Sequence, residues 1–199
     1  MNKKEQLRES VRAGLRSLPP EDIAWKSYLV CDHIKNLTVW QEAKIAALFA
    51  SLPTEPVVEF LWDDARKGGK KVCYPKVNGE NLSLIIVNDP SELVVSRWQL
   101  REPVMREPNL QTLEKIDILL VPGLAFARNG GRIGRGGGFY DRLLARESLK
   151  AFKLGVCFDE QVFSELPIEA HDITMDAMVT ESGVFKPERR VSSTHPVSS

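Results

Sequence analysis

The chain has 199 residues, of which 27 are basic, 27 acidic and 43% hydrophobic. That is room for one sizeable core and at most a small appendage. A formal net charge of zero argues against a general nucleic-acid binder, whose surface is strongly basic, yet leaves room for a local basic pocket. No stretch is long and apolar enough to span a membrane. The opening MNKKEQLRESVR lacks the apolar run of a secretory signal. Cys31, Cys73 and Cys157 are widely spaced and odd in number. Neither a disulfide framework nor a zinc ribbon is expected, and a reducing cytoplasm is the expected compartment.

Residues 3 to 17 read as an amphipathic helix, because Leu7, Val11 and Leu15 recur every fourth position. Lys4, Arg8, Arg12 and Arg16 keep the same spacing. At roughly 100° per residue the basic row runs beside the apolar row. It is either a solvated edge with snorkelling side chains or a basic stripe at the rim of a cleft. SLPPED stops this helix and caps a second one, which runs to about His33. AKIAALFAS, residues 43 to 51, reads as a buried strand, with a helix as the alternative. Residues 55 to 67 look helical and end at Gly68 and Gly69.

KKVCYPKV reads as a strand halted near Pro75, joined through a turn at Asn78 and Gly79 to NLSLIIV, residues 81 to 87. Residues 89 to 112 look irregular and polar. IDILLVP, residues 116 to 122, is a nearly continuous apolar strand of the kind parallel sheets require. A glycine-rich loop follows, then a helix from about Gly137 to Glu147. FKLGVCF is the next strand, and EAHDITMDAMVTESGVF supplies one or two more. From Pro187 the tail has little to bury, so disorder is expected there. Strands alternating with helices predict an α/β three-layer sandwich with a mostly parallel central sheet in a single domain, residues 1 to 186.

The most informative stretch is GGRIGRGGGFYDR, Gly130 to Arg142. A buried strand delivers it to the carboxyl end of a sheet, where open α/β sheets bind ligands. Gly134, Gly136, Gly137 and Gly138 can turn backbone N–H groups toward a phosphate, and the start of a helix adds partial positive charge. Arg132 and Arg135 can add charge-assisted contacts. GxxxxGK[ST] is absent, and GxGxxG fails because Phe139 stands where the third glycine belongs. Asp141, in the first helical turn, can cap the helix or hold magnesium beside a phosphate. His33, His171 and His195 show no metal-ligand spacing.

LLVPGLAFARNGGRIGRGGGFYDRLLA resembles the signature of the 5-formyltetrahydrofolate cyclo-ligase family, also called 5,10-methenyltetrahydrofolate synthetase. The remainder agrees in order: the Lys4 and Arg8 helix, SLPTE, KKVCYPKV, the REP at Arg101 to Pro103, FDEQ, and LPIEAHDITMDAMVT. The similarity spans roughly residues 3 to 186. Ala127 stands where the family often has aspartate, Phe139 where a second tyrosine is common, and Arg135 where tyrosine or histidine is frequent.

The resemblance implies ATP- and magnesium-dependent conversion of 5-formyltetrahydrofolate to 5,10-methenyltetrahydrofolate, with release of ADP and phosphate. Phosphorylation of the formyl oxygen gives an iminium phosphate, which the N10 nitrogen attacks. It implies phosphate contacts for Lys4 and Arg8, a phosphate cradle at Gly134 to Gly138, and Arg132, Arg135, Phe139 and Arg142 beside it. Tyr140 belongs near the reacting centre with Arg132 and Lys4. Asp141 and Asp172 are the magnesium candidates. Glu55 would accept pterin N–H bonds or cap the turn at PTEP. Tyr74, Pro75 and Trp98 lie in segments that would border the folate pocket, with core packing the alternative for Tyr74. Gln161 is a supporting candidate. Expected partners are the small-molecule folate, with or without a polyglutamate tail, and no nucleic acid or membrane; the chain is expected to be a monomer. The rival readings are a non-catalytic folate- or nucleotide-binding relative and an anion-binding relative of sugar-phosphate isomerases.

Overall fold

The computed structural model describes residues 2–96, 100–104, 109–167 and 173–187. In chain order it has α1 (Lys3–Arg16), α2 (Pro20–Lys35), α3 (Thr38–Glu42), β1 (Ile45–Ala47), α4 (Trp62–Lys67), β2 (Lys71–Asn78) and β3 (Asn81–Val87). There follow β4 (Leu93–Val95), β5 (Arg101–Pro103), β6 (Leu110–Gln111), β7 (Ile118–Pro122), β8 (Ala125–Ala127) and β9 (Arg132–Ile133). The chain closes with α5 (Phe139–Leu144), β10 (Phe152–Val156), β11 (Val162–Phe163), β12 (Ala177–Thr180) and β13 (Gly183–Phe185).

An eight-stranded sheet has the order β13-β12-β10-β7-β1-β2-β3-β6. From β12 through β2 the neighbours run parallel, while β13, β3 and β6 add antiparallel edges. Strand β7 shows why its sequence is apolar throughout. Ile118 and Leu120 join the core formed with α2, α3 and α4, including Ile34, Trp40 and Trp62. Leu119 and Val121 point the other way, toward Leu143 and Leu144 of α5. Both faces are covered, which is the three-layer α/β arrangement expected from the alternation of elements.

A second sheet of three strands, β11-β8-β9, carries helix α1. Val11 and Leu15 bury against Leu124, Ala125, Ala127 and Ile133, contributing about 1.5–3 kcal/mol each. The ring of Phe126 fixes this small sheet to the large one. A Cβ on Gly155 would lie 2.7 Å from that ring, and one on Gly123 2.8 Å away. Only glycine at both positions leaves the slot open.

Five expectations need correction. Strand β2 does not stop at Pro75 but runs to Asn78, with Pro75 opposite Leu84 of β3. The carbonyl of Cys73 accepts from Leu48 N at 2.8 Å, so Cys73 and Pro75 direct their polar groups toward β1, which has ended by Ala47. The missing N–H of Pro75 therefore costs no ladder bond. The buried strand near residues 43 to 51 is only three residues long, Ile45–Ala47. The glycine stretch does not pass directly from strand to helix, because β8 and β9 intervene as an antiparallel pair. Helix α5 has six residues rather than the span to Glu147, so little macrodipole stands behind it. The stretch 89 to 112 also holds order: β4 pairs with β5 and β6 closes the edge of the large sheet. Pro187 packs against Gly130, and the tail beyond it lies outside the described residues.

Candidate functional site

A cavity of about 180 Å³ opens at the carboxyl ends of β1 and β7 and beside the second half of β2. Phe49, Leu52 and Glu55 follow β1, Pro122 and Gly123 end β7, and Pro75 and Val77 come from β2. The glycine loop forms the facing wall with Arg132, Gly134, Arg135, Gly137, Gly138, Phe139, Tyr140 and Asp141.

The backbone polarity of this loop is sorted by three arginines. Arg8 Nε donates to the carbonyl of Gly134 at 3.0 Å, and Arg12 Nη2 to that of Arg135 at 3.0 Å. Arg142 Nη2 donates to the carbonyl of Gly137 at 3.0 Å and its Nε reaches the carbonyl of Glu80 at the β2–β3 turn. The Gly138 carbonyl is taken by Arg142 N at 3.0 Å. By contrast, the N–H groups of Gly134 to Gly138 meet no acceptor among the described residues. Backbone with four of these five carbonyls held and its N–H groups unmatched is built to receive an anion. Gly138 makes the last turn in the left-handed region at φ 68°, and a Cβ there would lie 2.6 Å from Arg142 Nη1.

Two carboxylates of the site, Asp141 and Glu55, are each closed by an arginine. Arg132, whose side chain is 4% exposed, pairs with Asp141 and donates to the Pro122 carbonyl at 2.9 Å. Arg135 Nε donates to Glu55 Oε1 at 2.8 Å. The other oxygen of Glu55 accepts from Leu52 N at 3.0 Å. Glu55 thus reaches back to close the Leu52–Glu55 turn rather than serving as an N-cap, and it also faces the cavity. The Tyr140 hydroxyl is buried with no hydrogen-bond partner among the described residues, and its ring lies under Arg132 at 5.8 Å. Burial pushes the Tyr140 phenol above its ordinary range; nearby Glu55 adds to this and Arg132 opposes it. The group is therefore a neutral O–H donor at physiological pH.

The structure brings Arg8, Glu55, Arg132, Gly134, Arg135, Gly136, Gly137, Gly138, Phe139, Tyr140, Asp141 and Arg142 around one cleft. Lys4 lies one turn before Arg8 on the same α1 row and is half-buried. Tyr74 is not brought there. Side chains alternate along β2, so Pro75 and Val77 face the cavity while Tyr74 packs in the opposite core, 6.3 Å from Trp62. Trp98 and Asp172 lie outside the described residues. Gln161 supports the site from behind: its Nε2 donates to the carbonyls of Gly123 and Leu124 at 2.8 and 3.2 Å. Sequence reasoning missed Phe49, Leu52, Arg101 and Glu102 as cavity walls, and Arg12 as a loop clamp. The four-residue spacing that singled out Arg8 also contained Arg12.

No group of three or more His, Cys, Asp or Glu able to hold a metal occurs among the described residues. Asp141 is 60% exposed and stands alone in that respect. No helix among the described residues is long and apolar enough to cross a membrane.

The chain is similar to known proteins over most of its length. The sequence model of the 5-formyltetrahydrofolate cyclo-ligase family matches residues 1–181. The 5-formyltetrahydrofolate cyclo-ligase of Escherichia coli K12 is 32% identical over 184 residues, covering 88% of this chain and 99% of that protein. The mouse protein of the same name is 27% identical over 190 residues, covering 89% and 93%. The solved structure of 5,10-methenyltetrahydrofolate synthetase from Aquifex aeolicus superposes with a TM-score of 0.83 at 34% identity, over 98% of this chain and 97% of that one. The match runs from the α1 clamp through the glycine loop to the β12–β13 turn, and on that extent the chain belongs to the 5-formyltetrahydrofolate cyclo-ligase family of enzymes.

Proposed function

We propose that the chain closes 5-formyltetrahydrofolate to 5,10-methenyltetrahydrofolate with consumption of ATP and participation of magnesium. The observation that carries the nucleotide half of this reading is the glycine loop. Its N–H groups from Gly134 to Gly138 have no protein acceptor among the described residues, while guanidinium groups hold the carbonyls of Gly134, Arg135 and Gly137. That polarity fits a polyphosphate and would repel a cation. When bound, ATP supplies the phosphoryl group that turns the formyl oxygen into a leaving group.

The chain's own residues position and screen charge. Gly134 to Gly138 would bind phosphate oxygens, with Lys4, Arg8 and Arg135 beside them. Arg132, buried against Tyr140, would stabilise negative charge gathering on the transferred group. Tyr140, neutral and unpaired, would donate its proton as a hydrogen bond to that group. Magnesium keeps several waters and binds through one or two carboxylates together with phosphates. A lone exposed Asp141 fits that habit, and it would leave Arg132 to reach the metal. Glu55, on the apolar side with Phe49 and Leu52, would accept pterin N–H bonds. In this reading the chain works as a monomer. Three buried free cysteines suit a reducing cytoplasm.

Measuring ADP release with ATP, magnesium or 5-formyltetrahydrofolate omitted in turn tests this reading. Release should require all three. Asp141→Ala should lower turnover at limiting magnesium by about tenfold or more, on the scale of a lost charge-stabilising contact, with folate affinity little changed. Folate-independent ADP release, or equal loss of both properties in Asp141→Ala, would contradict it.

A further inference from the structure

Arg135 belongs to two subsites at once. Its guanidinium closes on Glu55 Oε1 at 2.8 Å and reaches Thr54 Oγ1 at 3.4 Å. Its own carbonyl is anchored by Arg12 Nη2 at 3.0 Å. The neighbouring Gly134 and Gly136 belong to the run of unmatched N–H groups. The side chain is 34% exposed, whereas that of Glu55 is 5% exposed. One partner can therefore swing toward solvent and the other cannot. Gly136, at φ 112°, has nothing within 4 Å of where a Cβ would sit, so the loop leaves room beside Arg135.

The hydrogen-bond inventory of Glu55 makes the consequence definite. Its Oε2 is engaged by Leu52 N at 3.0 Å, and its Oε1 by Arg135. A pterin approaching from the cavity meets a carboxylate already occupied by a guanidinium. A buried carboxylate stripped of that partner strongly favours a replacement donor. Phosphate oxygens on the loop would compete for the same guanidinium through charge-assisted bonds.

We propose that Arg135 couples the two substrate subsites, closing on Glu55 while the loop is empty and moving to the nucleotide phosphates when they bind, which frees Glu55 for the pterin. The proposal rests on the reading of Glu55 as the pterin-facing acceptor. Arg135 is then a positioning residue for folate, acting through Glu55. Linkage makes the effect reciprocal, so folate tightens nucleotide binding by the same factor.

Calorimetric titration of 5-formyltetrahydrofolate into the full chain, with and without a non-hydrolysable ATP analogue and magnesium, tests this. In the wild type the analogue should lower the folate Kd by about tenfold, within the usual range of coupling between sites. Arg135→Gln should bind folate more tightly than wild type without nucleotide, and the analogue should then change its Kd by less than about twofold. Arg135→Lys, which keeps the charge but not the fork, should retain an intermediate coupling. Unchanged coupling in Arg135→Gln, or weaker folate binding by it without nucleotide, overturns the proposal. Glu55→Gln separates the two layers. If it leaves the folate Kd unchanged, the assignment of Glu55 itself fails. If it weakens folate while Arg135→Gln keeps wild-type coupling, only the role of Arg135 falls.

Discussion

Tyr140 ends in a hydroxyl that is buried yet has no protein partner among the described residues. A buried donor in that condition calls for an explanation; the Tyr74 hydroxyl shares it in the core, but Tyr140 lines the cavity beside Arg132. The phenol is held neutral by burial and by the carboxylate of Glu55, so it can give a hydrogen bond but not act as a base. Tyr140→Phe removes a group that costs stability in the empty protein and helps only when ligand is present. It should raise the stability of the empty protein by about 1 kcal/mol, measured by urea unfolding, while kcat falls and the folate KM changes little. A destabilised variant with unchanged kcat would assign the hydroxyl to the fold instead.

At the scale of elements, the site is a clamp between α1, the glycine loop and the β2–β3 turn. Arg8 and Arg12 reach the loop from α1, and Arg142 reaches back to the Glu80 carbonyl. Gly138 is the hinge of this arrangement, at φ 68° and against Arg142. Gly138→Ala should cost about 1–2 kcal/mol for the left-handed backbone alone, and should weaken nucleotide binding more than folate binding. Paired thermal melts and titrations would check this; a stability loss with unchanged nucleotide affinity would mean that the loop tolerates a different turn. The four-residue repeat of α1 was legible because helix geometry aligns such positions, and the apolar run of β7 because both its faces are covered. The place of Tyr74 was harder to read, since a strand sends neighbours to opposite faces and its register had to be known first. The pairing of Glu55 with Arg135 joins residues far apart in the chain, and no local pattern encodes it. The small β11-β8-β9 sheet was equally hidden, because its strands have two or three residues and too little length to show a period.

Across the whole molecule, the three cysteines report on the cores rather than on the chemistry. Burial pushes the Cys31 and Cys73 thiols up to about 12 from 9.0, and raises Cys157 as well. The unfolded chain releases these protons near pH 9 while the folded one keeps them, so the unfolded state then binds fewer protons. This contribution to stability is full below about pH 9 and declines as pH rises toward 12. Urea midpoints should fall above pH 9, and thiol labelling at pH 8 should follow global unfolding. Rapid labelling of the native protein would show that one of the cores opens locally. The two cores around the large sheet and the third under α1 together hold the clamp and the folate-side cavity in one frame. That frame is proposed to be catalytic. Its most direct measurement is the appearance of the methenyl chromophore when purified chain is mixed with ATP, magnesium and 5-formyltetrahydrofolate at neutral to mildly acidic pH. Product should form in a one-to-one ratio with ADP. A folded protein that binds both ligands and forms no chromophore would contradict it.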